Sequence, residues 1–259
     1  MTLQHIVYKN EFSLSYAEYG NKKGYPILVQ HGMIASIKDY HLFDRIIESG
    51  ARLISIARPG YGDSSPYCMS NLAEWGNIVS VLVDELKISQ FDILGMSSGA
   101  PYSYAIGYTL PDKVRNIFIF SGIPALYDER VLALWPYPVN KQATITELKR
   151  LAKEIFFPDV SQVDMKRDDI KDSMMNDCFG LAQDLKLRCV DWGFNLSEVK
   201  ARVFMQHSKE DNLAAAEITA HLLPNCILDI RESAEHFSDE LLDAFIRKTI
   251  VKHNKCDPG

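Results

Sequence analysis

The chain has 259 residues, 47% hydrophobic and 24% charged, with 28 Lys and Arg against 34 Asp and Glu for a net charge of −6. That balance excludes a disordered chain, and the lack of any Lys/Arg block argues against nucleic acid as a partner. Cys68, Cys178, Cys189, Cys226 and Cys256 are widely spread with no Cys-x-x-Cys pair, which argues against a disulfide framework or a zinc knuckle.

Two strands are predicted at Gln4–Tyr8 and Ser13–Tyr19, then a buried strand at Pro26–His31 and a helix from about Ser36 to Glu48. Arg52–Ala57 reads as the next strand, ended by Pro59-Gly60-Tyr61-Gly62. A helix over Leu72–Leu86 follows, with Leu72, Trp75, Val79, Leu82, Val83 and Leu86 at helical spacing. Phe91–Met96 is a strand running into glycine-rich sequence, Ser98–Leu110 a helix, and Asn116–Ser121 a strand. From Ile123 to Ser197 the spacing is helical throughout. Strands return at Ala201–His207 and Cys226–Arg231, around a helix over Leu213–Leu223, and a helix over Ser238–Lys252 closes the chain.

This alternation predicts an α/β core with a largely parallel sheet, made of residues 1–122 and 198–259 and interrupted by a helical insertion over 123–197. No run of 18 apolar residues is present, so no membrane span is expected. The first ten residues lack the basic and apolar stretches of a secretion signal, so a reduced, cytoplasmic protein is expected.

The chemistry is carried by Gly95-Met96-Ser97-Ser98-Gly99, between an apolar strand and a small-residue helix. A serine at the tip of a sharp strand-to-helix turn needs small neighbours two residues to either side. Such a serine is a poor nucleophile until a base takes its proton, and the base must be oriented by an acid. Both are available at later strand ends: Asp211 after Ala201–His207, and His236 after Cys226–Arg231. Asp211 also fits as N-cap of the helix that follows it, and Asp128 is the alternative acid. His31-Gly32-Met33 ends a strand where the Met33 N–H, with that of Ser98, would form a two-donor oxyanion hole. A metal site using His31 and His207 lacks a carboxylate or cysteine cluster, so no metal or other cofactor is expected.

These residues resemble the α/β-hydrolase superfamily. The markers are His31-Gly32, the loop Pro59-Gly60-Tyr61-Gly62-Asp63-Ser64, the elbow around Ser97, Pro111-Asp112-Lys113-Val114 leading into a strand, and the chain order Ser, Asp, His. The resemblance implies an eight-stranded, mostly parallel sheet with helices on both faces and an inserted helical cap. It departs at Glu235 and Ser208, where relatives commonly carry glycine beside the base and after the seventh-strand histidine. Haloalkane dehalogenases and epoxide hydrolases place aspartate where Ser97 stands, which excludes their carboxylate chemistry here. The resulting expectation is a serine hydrolase acting on a small to medium acyl ester, with a C–C hydrolase, an acyltransferase or a slow small-molecule sensor as alternatives. Trp135, Trp192 and Phe194 of the cap are candidates to line the acyl pocket.

Overall fold

The computed structural model describes residues 3–8 and 12–251. Eight strands form one sheet: β1 (Gln4–Tyr8), β2 (Phe12–Gly20), β3 (Pro26–Gln30), β4 (Arg52–Ile56), β5 (Phe91–Met96), β6 (Val114–Phe120), β7 (Arg202–Ser208) and β8 (Cys226–Arg231). Their spatial order is β1-β2-β4-β3-β5-β6-β7-β8. β2 runs antiparallel to β1 and β4, and all other neighbours pair in parallel.

The helices are α1 (Asp44–Glu48), α2 (Ala73–Glu85), α3 (Gly99–Thr109), α4 (Glu129–Ala133), α5 (Ile145–Phe156), α6 (Asp168–Leu187), α7 (Leu213–Leu222) and α8 (Asp239–Phe245). Both sheet faces are covered, which is why β5 is buried at all six positions and carries no polar alternation. The two-residue period divides its side chains between two cores. Ile93, Ile117 and Ile119 join Leu28 and the α2–α3 side, while Leu94, Phe118 and Phe120 join Ile27, Val29, Leu242 and Phe245 opposite.

Two expected helices are not continuous α-helix. Over Ser36–Glu48, a 3-10 turn at Tyr40–Phe43 precedes the five-residue α1. Ser36 and Asp39 cross-bond instead: the Ser36 N–H donates to the Asp39 carboxylate, and the Lys38 N–H to Ser36 Oγ. The closing helix starts after the Ser238 N-cap and changes to a π-helical turn at Ile246–Val251. Lys252 lies outside the described residues.

Within 123–197 the described elements are α4, α5, α6 and two short 3-10 turns. A capping box starts α5, with Thr144 and Glu147 satisfying each other's backbone N–H groups. α6 is two helical pieces joined by a break at Met175–Cys178, where Asn176, Asp177 and Cys178 have φ of +53°, +62° and +60°. The last part of this segment shares its core with the sheet: Leu187, Trp192, Phe194 and Leu196 pack in one cluster with α2 and α3. Among the described residues no helix is long and apolar enough to cross a membrane.

Candidate active site

Parallel pairing brings four strand ends to one edge of the sheet. Gln30 is level with Gly95, Met96 with Phe120, Phe120 with Gln206, and Ser208 with Arg231. The segments that follow β3, β5, β7 and β8 therefore meet, and they carry Met33, Ser97, Asp211 and His236.

Ser97 has a φ of +47°, a left-handed conformation that is unfavourable for any residue with a Cβ. The turn is pinned to the end of β6: the Ser97 N–H donates to Phe120 O at 3.0 Å, and Ile123 N–H donates back to Ser97 O at 3.0 Å. The flanking glycines are required by contact. A Cβ on Gly95 would come 2.2 Å from Ser103 Oγ, and one on Gly99 would come 2.1 Å from Gln30 O.

His236 joins the two ends of a relay. Its Nε2 lies 2.9 Å from Ser97 Oγ and its Nδ1 2.5 Å from Asp211 Oδ2. With the ring proton on Nδ1 donating to the carboxylate, Nε2 accepts the Ser97 hydroxyl proton. The imidazole beside it holds the Asp211 carboxyl below its ordinary range, against the opposing effect of burial. Asp211 does not cap α7. The N-cap is Asn212, in a left-handed conformation and without a side-chain cap bond. Asp128 caps α4 instead and pairs with Arg130 at 2.7 Å.

Contacts of three groups that the sequence does not reveal hold this arrangement. His207, a buried neighbour of the acid loop, contacts Asp211 O through Nε2 at 2.5 Å. Arg231 Nη2 donates to the carbonyls of Glu235 and, at 3.0 Å, His236. The Ser208 hydroxyl donates to Ser233 O, tying the acid loop to the histidine loop. The signal for all three was their place at the ends of β7 and β8, but loop hydrogen bonding leaves no periodic trace in sequence.

The segment His31–Met33 runs beside the serine: a Cβ on Gly32 would be 3.9 Å from Ser97 Cβ. Gly32 is not among the residues with positive φ, so its use here is open space rather than an unusual turn. His31 is 3% exposed and committed, with Nδ1 2.7 Å from Gly32 O and Nε2 accepting from the Arg58 N–H at 3.3 Å. Burial and the Arg58 charge hold its pKa well below 6.5, so the ring is neutral. Among the described residues no cluster of three or more His, Cys, Asp or Glu could hold a metal.

Leu72, Pro101, Tyr102, Ile123, Asp184 and Arg188 close around Ser98 in a crevice with no room for a water molecule. The expected pocket aromatics lie elsewhere. Trp192 is fully buried between Tyr104 and Tyr127, and Phe194 stacks on Tyr108 at 5.0 Å. Trp135 meets Arg188 of that crevice, whose guanidinium carbon is 5.6 Å from its ring centroid.

This sheet order, with a serine elbow after β5 and later acid and histidine loops, defines the α/β-hydrolase fold. An esterase from Exiguobacterium antarcticum superimposes with a TM-score of 0.72 over 97% of this chain and 99% of that one, at 19% identity. By sequence, an uncharacterized hydrolase of Bacillus subtilis, YcgS, is 30% identical over 111 residues, which span 43% of this chain but only 38% of that protein. A 2-hydroxy-6-oxononadienedioate/2-hydroxy-6-oxononatrienedioate hydrolase of Cupriavidus pinatubonensis is 23% identical, with 86% of this chain and 85% of that one covered. No family model matches the chain.

Proposed function

We propose that this chain is a serine hydrolase of the carboxylesterase type, cleaving a small to medium acyl ester through an acyl-enzyme on Ser97. The observation that carries the reading is the continuous relay Ser97 Oγ–His236 Nε2, His236 Nδ1–Asp211 Oδ2. Ser97 Oγ bonds the acyl carbon while its proton passes to His236 Nε2, and the ester carbonyl becomes an oxyanion facing the Met33 and Ser98 N–H groups. The oxyanion collapses as the C–O bond breaks, and the leaving alkoxide takes the proton from His236. Water then repeats the sequence on the acyl-enzyme and releases the acid. Asp211 stabilises the imidazolium formed in each half. In this reading residues 123–197 serve as a cap and residues 1–122 and 198–259 as the hydrolase core.

A second reading, a C–C hydrolase with the same relay, is favoured by the Cupriavidus relative, whose named substrates are dioates. Arg188 fits an acidic substrate. It lines the crevice beside Ser98, makes no ion pair among the described residues, and has a buried Nε without a hydrogen-bond partner.

Both readings are tested with p-nitrophenyl esters of increasing neutral chain length, together with a succinate half-ester. Ser97→Ala is expected to lower turnover by at least about 10⁴-fold, and Asp211→Asn by about 10³–10⁴-fold. Wild-type preference for the half-ester, lost in Arg188→Met, would identify an acidic acyl group. No hydrolysis of any ester by the wild type would overturn the carboxylesterase reading.

A further inference from the structure

Arg58, 1% exposed, follows β4, and Asp184, 3% exposed, lies in the second piece of α6. The guanidinium is bidentate on the carboxylate, Nη2 to Oδ2 at 2.6 Å and Nε to Oδ1 at 3.2 Å. Tyr102 and Tyr61 hydroxyls donate to the same two oxygens at 2.6 and 2.9 Å. The remaining guanidinium donors reach the strand end beside the serine, Nη1 to His31 O at 2.7 Å and Nη2 to Gly32 O at 2.9 Å. The next peptide N–H along the chain is that of Met33.

The far end of this loop is held from the same helix. The Ala35 N–H donates to Ser173 Oγ at 3.0 Å, Ser36 Oγ to Asp172 Oδ2 at 2.5 Å, and Lys38 Nζ to Asp172 Oδ1 at 2.9 Å. Positions 172 and 184 of an unbroken helix would lie about 120° apart around its axis. The break at Met175–Cys178 separates them, so each piece of α6 presents its carboxylate independently.

We infer that α6 positions the oxyanion-hole donor of Met33, with Asp184 acting through Arg58 on one side of it and Asp172 through Ser36 and Lys38 on the other. This rests on the serine-hydrolase reading for its catalytic part but not for its structural part. A buried pair with desolvated charges is not needed for stability alone, since apolar replacements of such pairs are often neutral. What an apolar pair cannot do is hold two adjacent carbonyls in fixed directions, which the planar guanidinium fork does.

The test is Arg58→Lys, which keeps the charge facing Asp184 but cannot bridge the carboxylate and both carbonyls at once. Hydrogen exchange of a peptide covering residues 31–37 is measured beside kcat, KM and inhibition by an alkyl trifluoromethyl ketone, which forms a tetrahedral adduct. Expected are roughly tenfold faster exchange in 31–37, a kcat lower by about 10–100-fold, KM within about twofold, and ketone inhibition weakened in step with kcat. A folded variant with unchanged exchange in 31–37, or with faster exchange and wild-type kcat, overturns the inference. If Arg58→Lys does not fold, Ser36→Ala releases the other end of the loop and is read the same way. If wild type and Ser97→Ala hydrolyse esters equally, the catalytic reading has failed, and exchange alone decides whether α6 holds the loop.

Discussion

At Ser97 a single residue carries both the hydroxyl that meets His236 and a backbone conformation that disfavours any side chain. The strain is sustained by hydrogen bonds from the turn to Phe120 and Ile123, so it is a fixed property of the fold. Ser97→Gly and Ser97→Ala remove the same hydroxyl, but only glycine is at ease at a φ of +47°. Ser97→Gly is therefore expected to be more stable than Ser97→Ala by about 1 kcal/mol in urea unfolding. Equal midpoints would mean that the elbow relaxes once the hydroxyl is gone. Gly32 and Gly99 make a second residue-level contrast. An added Cβ at Gly99 meets the backbone oxygen of Gln30 at 2.1 Å, whereas at Gly32 its nearest neighbour is Ser97 Cβ at 3.9 Å. Gly99→Ala is expected to cost roughly 3 kcal/mol or more. Gly32→Ala should keep wild-type stability within about 0.5 kcal/mol while slowing turnover, because its methyl group stands beside the serine. A melting curve and an ester assay on each variant decide both points.

Among the elements, those that were legible are the ones with a strong hydrophobic pattern. β5 reads as an apolar run, broken by Asp92, because both of its faces are covered, and α2 reads from Trp75, Val79 and Leu82 because one face is buried. Ser97, Asp211 and His236 were legible as candidates because they follow such runs. Other features were hidden because they depend on side chains meeting across long sequence separations. The helix expected over Ser36–Glu48 is replaced at its start by a turn in which Ser36 bonds Asp172 of α6. Arg58 meets Asp184 across 126 residues, and nothing in the local pattern of either marks the other as a partner. The size and placement of Trp192 and Phe194 fit pocket residues. Stacking with Tyr104 and Tyr108 uses those same properties to build core.

The molecule as a whole carries buried ionisable groups at both ends of its sheet, and their effects on stability have opposite signs. At the end away from Ser97, Asp92 is 1% exposed and accepts hydrogen bonds from Asn116 N–H and Nδ2 at 3.1 and 2.9 Å. Burial pushes its pKa from 3.8 up to about 6. The folded state then holds a proton that the unfolded chain has released, so this contribution is full below pH 3.8 and lost as pH rises through 6. His31 and His207, both held below 6.5 by burial, act the other way, losing stability as pH falls below 6.5. The Asp92 effect is isolated by comparing wild type with Asp92→Asn from pH 4 to 7.5. The variant should gain relative to wild type by up to roughly 3 kcal/mol as pH rises, most of it before pH 6.5. A constant difference across that range would mean that Asp92 titrates normally.

The contacts of α6 also bear on how such a chain can be rebuilt. Asp172 and Asp184 lie within residues 123–197, while Ser36, Lys38, Arg58, Tyr61 and Tyr102 lie outside it. Exchanging that segment for one from another hydrolase would leave the lysine and the arginine facing a foreign helix, with no anion guaranteed to meet them. A chimera intended to change substrate preference would thus alter the loop beside the serine as well. Grafts that carry carboxylates equivalent to Asp172 and Asp184 are the ones in which selectivity can be varied apart from rate.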